Sequence, residues 1–308
     1  MYQDSFVNQV PHPGKLLQEK LVEMEMSIKE FSLRADRTEQ LVIDVINGVS
    51  PISGDMAVAI EFVTGMDASV LMEWQKQYDE WQARRSHYEK ISDRGKEWLK
   101  KLPLDEMKAN GWISSSDSLP EVLHFFGVAS PSAWQNYYFS QKLKVAFRIS
   151  LEKTVNPYAL SAWLRRGEIQ AQALYLDNDY SAAKLKETVP SLARLLAFPQ
   201  DSILDDISSL LAGVGIKMLY TERLSGVPIK GATRWIYGYP CIQLLNSTES
   251  YSNFVFTVLH EVGHIILHGK KDIFIEDAGY STSDPAYAIK EKEADAFAKK
   301  WLAIALKS

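Results

Sequence analysis

Apolar residues in the first 75 positions recur three and four apart, in runs short enough to be single helices. Leu16, Leu17, Leu21 and Val22 share one face just after Pro13-Gly14. Ser27-Ile28-Lys29-Glu30 reads as a capping box, in which the serine bonds the Glu30 N–H and the glutamate bonds back. Phe31 and Leu33 follow, then a turn at Ala35-Asp36, then a helix with Leu41, Val42, Val45 and Ile46 inward. Asn47-Gly48 ends that helix, because glycine accepts the left-handed conformation a helix terminus favours. Ser53 opens a fourth helix that closes at Gly65, and Val70, Leu71 and Trp74 begin a fifth. Five helices with a tight turn between the second and third predict a helix-turn-helix domain over residues 1–75.

The periodicity then changes. Residues 76–100 are charged and poor in glycine, which predicts an exposed connecting helix. Residues 101–200 hold further helical patterns broken at Pro103, Pro120, Pro157 and Pro199, so 76–200 reads as a helical linker and middle region. Strand patterns appear only afterwards, at 215–222 (GIKMLYTE) and 239–245 (YPCIQLL), and helical periodicity resumes at Phe254. The expected fold is mainly α, with a small α+β domain at 201–308.

Composition narrows the classes. Hydrophobic residues are 46% and charged residues 24% of the 308, which supplies a core and excludes a largely disordered or collagenous chain. Cys241 is the single cysteine, so no internal disulfide or cysteine-based zinc cluster can form. The first fifteen residues do not read as a secretory signal, and no window approaches ~18 uncharged apolar residues. The expectation is a cytoplasmic protein with no membrane span. Charge is uneven: residues 1–75 carry twelve acids against five bases, a net of −7 within an overall −5.

Three of the six histidines fall within nine residues, in the stretch HEVGHIILH at 260–268. On a helix, His260 and His264 lie one turn apart on one face and can both reach a single metal ion. Glu261 lies beside them, placed to take a proton from metal-activated water. Phe254, Phe256, Val258, Leu259, Ile265, Ile266 and Leu267 make the helix mostly apolar, a costly place for ionisable groups unless they are satisfied. A tetrahedral zinc with one open position needs a third protein ligand. The next amphipathic helix, 289–302, offers Glu291, with Asp295 one turn on to orient a ligating imidazole. Glu293, about 200° around the axis from Glu291, is the alternative ligand. His268 is open to three roles: a ligand in place of Glu291, a donor to the transition state, or a helix-terminal residue favoured by the dipole. Arg234 and Tyr237 are candidate polar groups for a cleft, though no spacing argument supports them, and the strand at 241–245 either pairs with an extended peptide or, the safer reading, is simply part of the sheet.

HEVGHIILHG followed by EKEADAFAKKWL resembles the zinc peptidase domain of the ImmA/IrrE family, as do GATRW (231–235) and IQLL upstream. The segments HPGKLLQEKL, SIKEF, ING and PISGDMAVAIEFVTG resemble HigA-type antitoxins and related Xre-like regulators. The first resemblance implies a zincin-like metallopeptidase domain, with Zn2+ held by His260, His264 and Glu291. It also implies Glu261 as general base and then acid; Asp295 stands where the family more often has asparagine. It further implies cleavage or control of a repressor, antitoxin or other regulatory protein. The second implies a toxin partner or a DNA operator, and a homodimer. The rival expectation is a DNA-binding antitoxin or repressor whose peptidase-like domain is a sensor or is inactive.

A recognition helix would run from about Thr38 to Ile46, with Arg37 and Gln40 placed to read bases and Thr38 to meet a phosphate. The net −7 opposes this, since DNA affinity comes largely from phosphate neutralisation. An acidic surface is better suited to docking a protein partner.

Overall fold

The computed structural model describes residues 10–138, 156–227, 229–246, 250–270, 273–277 and 285–305. The chain divides into two compact units, Met1–Arg94 and Gly95–Ser308.

The first unit holds α1 (Gly14–Glu23), α2 (Ile28–Arg34), α3 (Glu39–Ile46), α4 (Gly54–Thr64) and most of α5 (Ala68–Leu99). Its helices start where side-chain oxygens can take the unpaired N–H groups of a first turn. Ser27 accepts from Glu30, Thr38 from Leu41 and Ser53 from Met56, at 3.1–3.3 Å. The α2–α3 turn runs through Asp36 at φ 52°, and Gly48 and Gly65 follow α3 and α4 at φ 72° and 73°. Leu17, Phe31, Val42, Val45, Ile52, Ile60 and Leu71 fill the core. The helix-turn-helix layout is therefore present, but α5 does not stop near residue 75. It continues to Leu99, because the charged stretch contains no proline and supports itself through pairs such as Arg85 Nε to Glu89 Oε1 at 2.8 Å.

The second unit continues with α6 (Leu104–Ala109), α7 (Leu119–Phe126), α8 (Pro131–Gln135), α9 (Pro157–Ala173), α10 (Ala182–Leu195) and α11 (Ile203–Ala212). Pro120 and Pro157 lie in the first turns of α7 and α9, where a missing N–H costs nothing. The remaining elements are β1 (Lys217–Glu222), β2 (Ile229–Ile236), β3 (Tyr239–Asn246), α12 (Tyr251–His268), β4 (Phe274–Asp277) and α13 (Pro285–Ala305). The sheet order is β1-β3-β2-β4, with β1 and β3 parallel and the other pairs antiparallel. One sheet face, including Met218, Ile242 and Leu244, packs with Val258, Leu259 and Val262 of α12 and with Leu185, Val189 and Leu192 of α10. Helices on either side of position 200 thus share one core.

The other face is polar in part and covered by α9. Gln243 donates to Trp163 O at 2.7 Å and Lys217 to Ala171 O at 2.6 Å. Gly167 permits that approach, since a Cβ there would sit 2.0 Å from Gln243 Oε1.

Candidate metal centre

Helix α12 is apolar on the side that meets the core, through Val255, Val258, Leu259, Val262 and Ile265. The helical repeat sets His260 and His264 together on the side that meets α13, where both rings are buried. Their Nε2 atoms are 2.9 Å apart. Glu291 of α13 completes a triangle, with Oε2 3.2 Å from His260 Nε2 and Oε1 3.5 Å from His264 Nε2. Among the described residues these three form the group of ligand atoms lying within 4.8 Å of one another. Ligand atoms on a tetrahedral zinc with ~2.0–2.1 Å bonds sit about 3.3 Å apart. The three observed edges bracket that value, and Glu291 Oε1 is buried without a hydrogen bond among the described residues. The donor set therefore fits a zinc ion.

Electrostatics agree with the geometry. Burial pushes the His264 ring down to about 4, against the opposing pull of Glu291, so its lone pair is available at neutral pH. Burial alone would raise the Glu291 carboxyl, but the two imidazoles facing it outweigh that and hold it down to about 2. Asp295 Oδ1 lies 3.1 Å from His260 Nδ1, within reach to orient that ring. Glu293 does not approach the triangle and is not a ligand in this geometry. It meets His268 Nε2 at 3.0 Å, and His268 Nδ1 is 3.0 Å from His264 Nδ1. Both nitrogens of His268 are thereby engaged away from the triangle.

Glu261 is fully buried beside β2. Its backbone oxygen accepts from Thr233 Oγ1 at 3.3 Å, and its carboxylate lies over Gly231. A Cβ on Gly231 would come within 2.7 Å of Glu261 Oε1, so glycine is what leaves room for the acid. Gly263 does similar work between helices: a Cβ there would lie 3.2 Å from Phe297 Cδ1 and 3.4 Å from Ala294 Cα.

Two aromatic residues escaped the sequence reading. Phe274 of β4 stacks on His264 at 3.9 Å between centroids and 14° between planes, a contact no local pattern announces. Tyr287 is buried and its hydroxyl accepts from Ile275 N–H at 3.0 Å. Its position one turn before Glu291 was the available signal.

Two cleft candidates lie elsewhere. Arg234 does not line the metal cleft: β2 alternates, so Thr233 faces α12 while Arg234 is buried on the α9 side, donating to Leu164 O. Tyr237 projects at the β2–β3 turn, where it accepts from Gln172. The strand at 241–245 is an inner strand of the sheet, the safer of its two readings, because β3 is paired on both sides and has no edge for an added peptide.

Around α3, Thr38 spends its hydroxyl as the helix cap. Arg37 Nη2 is 2.5 Å from Asp55 Oδ2, and Gln40 donates to Asp44 Oδ1 at 2.8 Å. Among the described residues no helix is long and apolar enough to cross a membrane.

Among solved structures, an antidote protein of a plasmid maintenance system from Nostoc punctiforme is 25% identical. The match covers 27% of this chain and 91% of that one, with a TM-score of 0.26. A HigA-family addiction module antidote protein from Coxiella burnetii is 24% identical over 28% of this chain and 95% of its own, also at 0.26. No curated protein matches the chain. Residues 219–306, which hold the whole histidine–glutamate cluster, match the family model for the IrrE N-terminal-like domain, Peptidase_M78.

Proposed function

We propose that the chain is a zinc-dependent endopeptidase that acts on a regulatory protein, such as a repressor or antitoxin, with its helix-turn-helix unit serving to dock that partner. The observation that carries this reading is the triangle of buried His260 and His264 with half-buried Glu291, with edges of 2.9–3.5 Å and Glu261 the residue next to His260 in the chain. A zinc ion held by those three residues would act as a Lewis acid on a peptide carbonyl and on water. Glu261 then takes the proton of the attacking water as its oxygen bonds to the carbonyl carbon. The same carboxyl returns the proton to the amine nitrogen as the C–N bond breaks. Asp295 keeps His260 oriented throughout.

Partner docking is favoured over operator binding by the state of the base-reading candidates. Arg37 is tied to Asp55 and Gln40 to Asp44, in a domain of net −7. Metal analysis of the full chain, purified without added metal, tests the proposal. About one zinc per chain is expected in the wild type and in Glu261→Gln, with loss in His260→Ala and Glu291→Ala. Absence of zinc from the wild type, or equal zinc in His260→Ala, refutes it. Cleavage of a co-expressed partner should stop in Glu261→Gln.

A further inference from the structure

Behind His264 lies a chain of contacts that leads out of the cluster to the surface. Glu293 Oε2 is 3.0 Å from His268 Nε2, and His268 Nδ1 is 3.0 Å from His264 Nδ1. His264 Nε2 is the atom turned towards His260 and Glu291. The His268 side chain is 3% exposed, so water does not compete for its nitrogens, whereas the Glu293 side chain is 56% exposed.

Counting protons along this chain leaves one arrangement of neutral rings. An ionised carboxylate only accepts, so His268 must carry its proton on Nε2 to meet Glu293. A neutral ring holds one N–H, so His268 Nδ1 is then an acceptor. His264 Nδ1 can satisfy that acceptor only by carrying the His264 proton. His264 Nε2 is left bare, with its lone pair directed into the triangle, where in the metal-free chain it accepts from His260 Nε2 at 2.9 Å. Phe274, stacked on the His264 ring at 14°, holds the plane in which that lone pair points.

We infer that Glu293 and His268 are positioning residues that fix the tautomer of His264, Glu293 acting on the metal centre through two imidazoles without touching it. This rests on the reading of His260, His264 and Glu291 as the zinc ligands. It gives the two rings separate anchors: Asp295 sets His260 directly, and Glu293 sets His264 through His268. It also accounts for a carboxylate on the far side of α13 from Glu291 that adds no ligand.

The test uses the full chain labelled with 15N in its histidines, in metal-free and zinc-loaded samples, with imidazole nitrogens assigned by NMR. In the metal-free wild type, His264 carries its proton on Nδ1 and His268 on Nε2. Glu293→Ala releases His268, and the His264 signals move towards a mixture of the two tautomers. Glu293→Gln, whose amide oxygen can still accept from His268 Nε2, restores the wild-type pattern. In competition with a chromophoric zinc chelator, Glu293→Ala and His268→Ala bind zinc about 10-fold more weakly, the lower end of such effects because Glu293 is solvent-exposed. An Nε2-protonated His264 in the wild type, or a His264 signal unmoved by Glu293→Ala in a folded chain, overturns the inference. The metal-free spectra decide it even if the wild type binds no zinc, a result that would count against the metal-centre reading alone. A variant that keeps zinc affinity and the His264 tautomer but loses turnover would make His268 a transition-state donor and equally overturn it.

Discussion

Replacing Gly263 by alanine separates helix stability from metal affinity. The new Cβ would lie 3.2 Å from Phe297 Cδ1 and 3.4 Å from both Ala294 Cα and Phe297 Cβ. The two contacts at 3.4 Å are ordinary van der Waals distances, but the approach to Phe297 Cδ1 is tighter, and that side chain must give by a few tenths of an ångström. Phe297 is packed against the core and beside Trp301, so its ring has little room to swing and the strain passes to α13, which retreats. A retreat of ~0.3 Å carries Glu291, one turn before Ala294, away from two histidines on α12. Metal sites tolerate about ±0.2 Å in ligand distance, so this exceeds what the site can absorb. Alanine meanwhile gains roughly 0.5–1 kcal/mol over glycine within a helix. The metal-free variant should therefore melt within a few degrees of the wild type, while chelator competition shows zinc affinity reduced about tenfold, a cost of ~1.4 kcal/mol. Zinc affinity within twofold of the wild type would refute the argument that this glycine sets the spacing of the centre.

Two further outcomes follow from close contacts elsewhere. Gly231→Ala places a Cβ 2.7 Å from Glu261 Oε1 but near none of the three ligands, so zinc content should be unchanged. Displacing the base by about 1 Å should lower hydrolysis of any substrate the wild type cleaves by ~100-fold, and unimpaired hydrolysis would remove Glu261 from its assigned role. Cys241 is fully buried, and burial pushes its thiol up to about 11 against the pull of Arg234 and Lys217. At pH 8 the folded chain should then hold almost no thiolate and resist a disulfide reagent until denaturant is added. Labelling of the native protein within minutes would show that the β3–α9 layer opens freely.

What could be read from the sequence divides along the range of the forces involved. Helix starts at Ser27, Thr38 and Ser53 were legible because a cap is satisfied within three residues, and the structure forms each of those bonds. The pairing of His260 with His264 is equally local, a matter of one helical turn. The strands were half visible. GIKMLYTE and YPCIQLL are apolar runs, whereas β2 interleaves Lys230 and Arg234 with small residues because it packs α12 on one face and α9 on the other. Its sequence alternates for two different neighbours and so lacks the plain pattern of a half-solvated strand. Glu291 and Glu293 show the same limit more sharply. Both lie on one helix, two residues apart, and the angular argument separates their faces without saying what each face meets. Only the packing of α13 against α12 decides that, placing Glu291 at the triangle and Glu293 against His268. A helix hands its neighbour two carboxylates about 200° apart, and α12 meets both, Glu291 through His260 and His264 and Glu293 through His268 one turn beyond. The third histidine is thus the structural counterpart of the second glutamate: neither has an evident partner in the sequence, and each supplies the other's in the fold.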